Sequence, residues 1–327
     1  MKIVVDAMGG DNAPGEIVLG ALQAASEFPY EIILVGDQAQ ITKLLPANYA
    51  KNKISIVHAE ENISMDEDPA AAIRRKKNCS INVGVRLVKE KKADAFLSAG
   101  NTGACMAGAL LGLGRIKGIE RPAIVNVWPS KKGKVVILDV GANSDCKPEY
   151  LAQFGLMGSI FSEKYLGVQK PRVALLSIGE EDAKGNELTT SSLPLLRAQP
   201  INVIGNIEGK NIFDDIADVI VCDGFVGNVV LKFAQGLMTY FMDSFKTEIK
   251  KSPLSILGAL LMKPVFNSIR KRADYSEYGG APLLGVDGVC IITHGRAKAK
   301  AIKNAVKAAA HFVEADITRT IENALAK

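Results

Sequence analysis

The chain has 327 residues, 48% of them apolar, which is enough for one large α/β domain or two smaller ones with a full core. Its 40 Lys and Arg against 35 Asp and Glu leave a net charge of +5, with no basic stripe interleaved with aromatics, which argues against nucleic acid and suits a small anion or an acidic protein. The five cysteines (Cys79, Cys105, Cys146, Cys222, Cys290) have no CxxC spacing, and the longest strongly apolar run, Ile256 to Met262, is far below the roughly 20 residues of a membrane span.

In chain order, the first ten residues carry one Lys and enter a strand at once, unlike a secretory leader, so a cytoplasmic protein with reduced thiols is expected. Runs at 3–5, 32–35, 54–57, 95–97, 123–127, 135–138, 173–176, 203–204, 219–221 and 289–292 predict strands. Most are continuous and β-branched, the pattern of strands buried on both faces of a largely parallel sheet. Helical periodicity follows at about 15–28, 80–92, 104–114, 148–165, 187–197, 227–250 and 296–325. This βα alternation predicts a Rossmann-like, doubly wound α/β fold, taken as a single catalytic domain over 1–327 because neither repeat nor linker divides it. The pattern breaks at about 250–275, an amphipathic helical excursion. There Leu254, Leu257, Leu261, Met262, Val265 and Ile269 recur at helical spacing, with Lys263, Arg270, Lys271 and Arg272 around them and a helix-ending Pro264. Such a segment fits a membrane surface, a second subunit or a core contact.

Six loops at predicted strand ends share one composition of glycine with small amide, hydroxyl and acidic residues: 98–103, 139–143, 177–181, 205–209, 223–228 and 279–282. In an open α/β sheet such loops line one crevice at the carboxyl ends of the strands. Glycine admits close backbone approach, and helix N-termini beyond the loops attract anions. The segment 5–14 belongs with them, serving as a helix cap, as a phosphate loop or as both. It lacks the GxGxxG spacing of a dinucleotide site, and the chain has no GxxxxGK[ST] loop. Lys184, beside Gly185 and Asn186 and among Glu180, Glu181 and Asp182, is expected to bind an anion.

Other chemistries lack their parts. There is no HExxH, CxxC or GxSxG, so neither zinc hydrolysis nor a serine triad is expected, and no metal or cofactor is implied. Of the three histidines, His311 sits in a helical alanine run and reads as structural, while His294 follows a strand and is the better site candidate.

Taken together, VVDAMGGDNAP (4–14), SAGNTGA (98–104), RPAI (121–124), DVGAN (139–143), SIGEEDAKGNE (177–187), IGNIEG (204–209), VCDGFVGNVVLK (221–232) and YGGAPLLGVDG (278–288) make the sequence resemble the bacterial phosphate acyltransferases of phospholipid synthesis over essentially its whole length. The resemblance implies a homodimer related in fold to phosphotransacetylases and isocitrate-type dehydrogenases. It also implies transfer of a fatty acyl group from acyl carrier protein to inorganic phosphate, the acyl phosphate then passing to a membrane glycerol-3-phosphate acyltransferase. On that basis Lys184, Asn206, Asn228 and Asp223 are expected to carry catalysis. Ser98, Gly100, Asn101, Thr102, Gly103, Asp139, Asn143, Glu180, Asn186, Glu208 and His294 are expected to hold phosphate or substrate. Leu257, Leu261, Lys263, Arg270, Lys271 and Arg272 are expected to meet carrier protein or membrane, with location at the inner membrane face as one outcome. Two rivals are an NAD-dependent decarboxylating dehydrogenase using Asp6, Asp139 and Asp223, and a non-enzymatic phosphate- or acyl-binding regulator.

Overall fold

The structure is a computed structural model that describes residues 1–266, 268 and 279–326; Ile269, Arg270, Lys271 and Arg272 lie outside the described residues. The strands are β1 (Lys2–Asp6), β2 (Glu31–Gly36), β3 (Ile54–His58), β4 (Ala95–Ser98), β5 (Ala123–Pro129), β6 (Lys134–Leu138), β7 (Arg172–Ser177), β8 (Asn202–Glu208), β9 (Val219–Val221), β10 (Ala281–Leu284) and β11 (Val289–Ile292). They form one sheet in the order β3-β2-β1-β4-β11-β10-β5-β6-β9-β7-β8. The helices are α1 (Gly15–Glu27), α2 (Gln38–Leu44), α3 (Pro69–Arg75), α4 (Ser80–Lys89), α5 (Thr102–Gly112), α6 (Pro148–Leu166), α7 (Glu187–Arg197), α8 (Gly224–Ile249), α9 (Pro253–Leu261), α10 (Ala299–Glu314) and α11 (Ile317–Leu325).

The expected α/β fold is present. The apolar runs are strands because both of their faces are covered. One buried cluster joins Ile3, Val5 and Leu97 to α1, α6 and α10; the other joins Val4, Phe96 and Ile137 to α3, α4 and α5. The stretch 296–325 is two helices, divided where Asp316 takes φ +48°. The loop expected at 279–282 opens β10, which joins the two halves of the sheet.

That junction decides where the loops emerge. β11–β10, β10–β5 and β5–β6 are antiparallel, while the other pairings are parallel. Three reversals in succession mean that β1–β4 and β11 run one way and β6–β9 the other. The strand-end loops therefore leave the sheet as two sets with opposite sense, where the sequence suggested one crevice.

α8 is unusual among the helices. Only Gly224 and Gly227, in its first turn, are buried. Phe225, Val229, Phe233, Leu237, Phe241 and Phe245, spaced four residues apart on one face, are all exposed, Phe233 by 68%. α9 continues this apolar surface with exposed Leu254, Leu257, Leu260 and Leu261. No described helix is long and apolar enough to cross a membrane.

Candidate functional site

The first loop set is built around Asp6 at the end of β1. This carboxylate is 1% exposed, accepts from Ser98 Oγ at 2.7 Å and from the Met8 N–H at 3.1 Å, and is also partnered by Ser80. Ser98 Oγ in turn accepts from the Gly100 N–H at 3.0 Å. Gly9 packs over all three: a Cβ there would lie 2.6 Å from Asp6 Oδ2, 2.7 Å from Gly100 N and 2.8 Å from Ser98 Oγ, so no larger residue fits. The third wall is the turn after β11, where Asp11 N–H donates to the Gly295 carbonyl at 2.8 Å and Thr293 N–H to the Ser98 carbonyl at 2.9 Å. Segments 6–12, 98–103 and 293–297 thus close on one another, with the first turn of α5 beginning among them. Asn101 caps that helix through Ala104 N–H at 3.1 Å, and its amide donates to the Met65 and Glu67 carbonyls. Thr102 is exposed and Gly103 half-buried at the helix entrance, where first-turn N–H groups lack intrahelical partners.

His294 is half-buried in the same wall. Burial first, then the Lys232 and Arg296 charges, lower its pKa below the ordinary 6.5, with Asp11 pulling the other way. Its Nδ1 accepts the Arg296 N–H at 3.2 Å, so the neutral ring carries its proton on Nε2. In its neutral form the ring presents an Nε2–H donor in a positive setting.

The second set follows β6–β9. Asp139 is fully buried and accepts from Ile124, Gly141, Ala142 and Asn143 N–H and from the Asn143 amide, at 2.7–3.2 Å. Burial raises its pKa from 3.8 against the pull of these donors. Asp223 caps α8 through Val226 N–H at 2.9 Å, and Gly224 N–H donates to the Asn143 carbonyl. Asn228 lies beside Gly141, whose added Cβ would meet it at 3.6 Å. Further along, Asn206 donates to the Glu181 carbonyl at 2.9 Å, while its buried Oδ1 has no partner among the described residues.

The sequence-expected residues therefore divide. Ser98, Gly100, Asn101, Thr102, Gly103 and His294 come together in the first set. Asp139, Asn143, Asp223 and Asn228 come together in the second. Lys184 and Glu180 are exposed on the loop that Asn206 tethers. The Asn186 side chain is taken up by a capping box with Thr189 at the start of α7, and Glu208 pairs with Lys210 at 3.0 Å. Sequence reasoning named Asp6 only for the dehydrogenase alternative and Gly9 only as part of the 5–14 loop, and it gave no role to Lys232 or Arg296. The signal for Asp6 was present, since a lone acid ending an apolar strand just before two glycines is either exposed or heavily bonded. Burial raises the Cys222 and Cys105 thiols well above the usual 9.0 and Cys290 to about 12, the opposite of an activated thiolate. Among the described residues no group of three or more His, Cys, Asp or Glu could hold a metal ion.

Residues 1–320 match the family model described as fatty acid synthesis protein. A phosphate acyltransferase from Heliobacterium modesticaldum is 55% identical over 324 residues, covering 98% of this chain and 97% of the relative. One from Desulfitobacterium hafniense is 54% identical over 326 residues, covering 99% and 98%. Among solved structures, a phosphotransacetylase from Streptococcus pyogenes superposes with a TM-score of 0.67 at 18% identity, covering 96% of this chain and 94% of that one, which is a likeness of fold.

Proposed function

The chain belongs to the phosphate acyltransferases of the fatty acid synthesis protein family, and from that premise we propose that it moves a fatty acyl group from the thioester of an acyl carrier protein to inorganic phosphate. The observation that carries this reading is the closure of 6–12, 98–103 and 293–297 into a glycine-lined wall with the α5 N-terminus, His294, Lys232 and Arg296 around it. Such a wall suits a small, doubly charged oxyanion. A nucleotide fits it less well, because neither nucleotide loop is in the sequence, and this disfavours the dehydrogenase reading.

In this reading phosphate is itself the nucleophile. A phosphate oxygen forms the new C–O bond to the thioester carbonyl, the tetrahedral intermediate collapses, the C–S bond breaks, and the thiol leaves with a proton from phosphate or solvent. Nothing in this sequence needs an enzyme nucleophile, which agrees with five cysteines that are either buried or raised in pKa. The protein's contribution is to hold phosphate near the carbonyl and to stabilise the oxyanion. Lys184, Asn206 and Asn228 are proposed to act from the second loop set, with Asp223 and Asp139 fixing the loops that carry them.

The exposed stripe on α8 supports a homodimer, and the apolar α9 supports contact of the excursion with a membrane surface, where the next acyltransferase would take up the product. The whole chain would then act as one cytoplasmic catalytic domain, peripheral at the inner face. The deciding experiment incubates purified protein with a palmitoylated carrier protein in phosphate buffer and traps acyl phosphate with hydroxylamine. Phosphate-dependent acyl hydroxamate supports the function. Binding of phosphate without turnover would favour a regulator, and NADH formation from NAD would favour a dehydrogenase.

A further inference from the structure

The segment 61–77 forms a platform on the rim of the first loop set. Asn101, at the end of β4, donates to the Met65 and Glu67 carbonyls at 3.1 and 3.3 Å. Pro69 opens α3 directly against Gly103, 2.7 Å from where a Cβ would stand, and Met65 Cε lies 3.1 Å from the corresponding point on Gly295. The platform thus touches two walls of the phosphate site, and Met65 is 45% exposed above them.

The platform ends in four consecutive basic residues, Arg74, Arg75, Lys76 and Lys77. Two of them are internal struts. Glu67 takes Lys76 at 2.7 Å and Arg75 at 3.0 Å, and Lys76 also reaches the Asn62 carbonyl. The Lys76 hydrogen bond, the Ser64 N–H and the Lys76 and Arg75 charges hold the Glu67 carboxyl down to about 2, so one carboxylate stays ionised between the two struts and leaves them a single net positive charge. Arg74 and Lys77 are exposed and form no ion pair among the described residues. Compensation of the α3 C-terminus does not account for them, because the Asn82 amide already satisfies the Ile73 and Lys76 carbonyls at 2.9 and 2.8 Å. α3 has seven residues and is about 10 Å long, so both charges stand about that far from the mouth. Lys263, by contrast, follows α9 beyond the far end of α8, which runs about 26 Å past Lys232 at the mouth.

We propose that Arg74 and Lys77 form the docking surface for the acidic protein that delivers the acyl thioester, with Met65 as the apolar contact at the mouth. The inference rests on the proposed acyl transfer and adds where the donor protein sits. Two unpaired cations beside the opening steer an acidic carrier toward it and hold it within reach of a flexible thioester arm, an attraction that acts on association and weakens with salt.

The test measures acyl phosphate formation by the full-length protein with two donors, a palmitoylated acyl carrier protein and palmitoyl-pantetheine, which has the thioester and no protein. Arg74→Glu with Lys77→Glu is expected to raise KM for the carrier donor about tenfold and to flatten its salt dependence. Kinetics with palmitoyl-pantetheine should be unchanged, and this donor also reports that the variant is folded. Lys263→Glu, at the alternative carrier contact, should raise the carrier KM less than the double variant does. An unchanged carrier KM in the double variant, an equal loss with both donors, or a carrier-specific loss in Lys263→Glu alone would each overturn the docking surface. Failure of the underlying function looks different: the unaltered protein would then make no acyl phosphate from either donor.

Discussion

Ser98→Ala isolates the relay that shapes the first loop set. The hydroxyl donates to buried Asp6 at 2.7 Å and accepts from Gly100 N–H at 3.0 Å, and alanine removes both bonds without changing the fold of β4. A hydrogen bond to a charged group is worth about 1.5–3 kcal/mol and a neutral one about 0.5–1.5, so the expected loss is about 2–4 kcal/mol with Asp6 ionised. With an unfolding entropy proportional to chain length, that is a fall in Tm of about 3–6 °C. The pH dependence gives the sharper test. Burial raises the Asp6 pKa above 3.8, and the Ser98 hydrogen bond is among the effects that lower it again. Alanine therefore raises the folded pKa further while the unfolded value stays put. A carboxyl raised on folding contributes stability fully below its unfolded pKa and loses it as pH rises through the folded one. The variant should thus sit closest to wild type in acid and fall further behind as pH rises. Thermal unfolding of both proteins from about pH 4 to about pH 9 measures the gap. A gap that is constant, or that narrows at high pH, would refute the charged relay. In kinetics the freed Gly100 N–H should raise KM for phosphate more than it lowers kcat.

Lys184→Ala should lower acyl phosphate formation about 100- to 1000-fold if the ammonium meets the oxyanion, and a near-normal rate in the hydroxylamine assay would withdraw that role. Gly227→Ala drives a Cβ into the Asp139 carbonyl, a backbone atom with nowhere to go. It should cost about 1–3 kcal/mol or more in a denaturant melt and displace the 139–143 loop, with activity falling further than stability. Phe233→Glu with Phe241→Glu places charges in the exposed α8 stripe. It should give a monomer by sedimentation if that stripe is the subunit contact, and an unchanged sedimentation coefficient would remove it.

What could be read from the sequence follows what local pattern encodes. Continuous β-branched runs and glycine stops located every strand but β10. Its opening, Gly279-Gly280-Ala281-Pro282, carries turn residues, and its four-residue length offers no period. The seven-residue α2 and α3 escaped for the same reason of length. Strand direction is not a local property. Val136 is buried and apolar whichever way β6 runs, and only the chain of antiparallel partners from β11 through β10 and β5 fixes its sense. Six loops of like composition therefore read as one crevice, but five emerged in two sets and the sixth, 279–282, opens β10. The same limit hid how the sets communicate. α8 starts under Asp223 in the second set, and its Lys232 bears on His294 in the first. Both residues fall within VCDGFVGNVVLK, nine positions apart. That is about 13 Å along a helix, too far for one side chain to serve both ends and a suitable length for a rigid strut between them. A displacement of the α8 N-terminus should therefore be felt at His294, which is a reason to expect mutations in one loop set to alter phosphate affinity at the other.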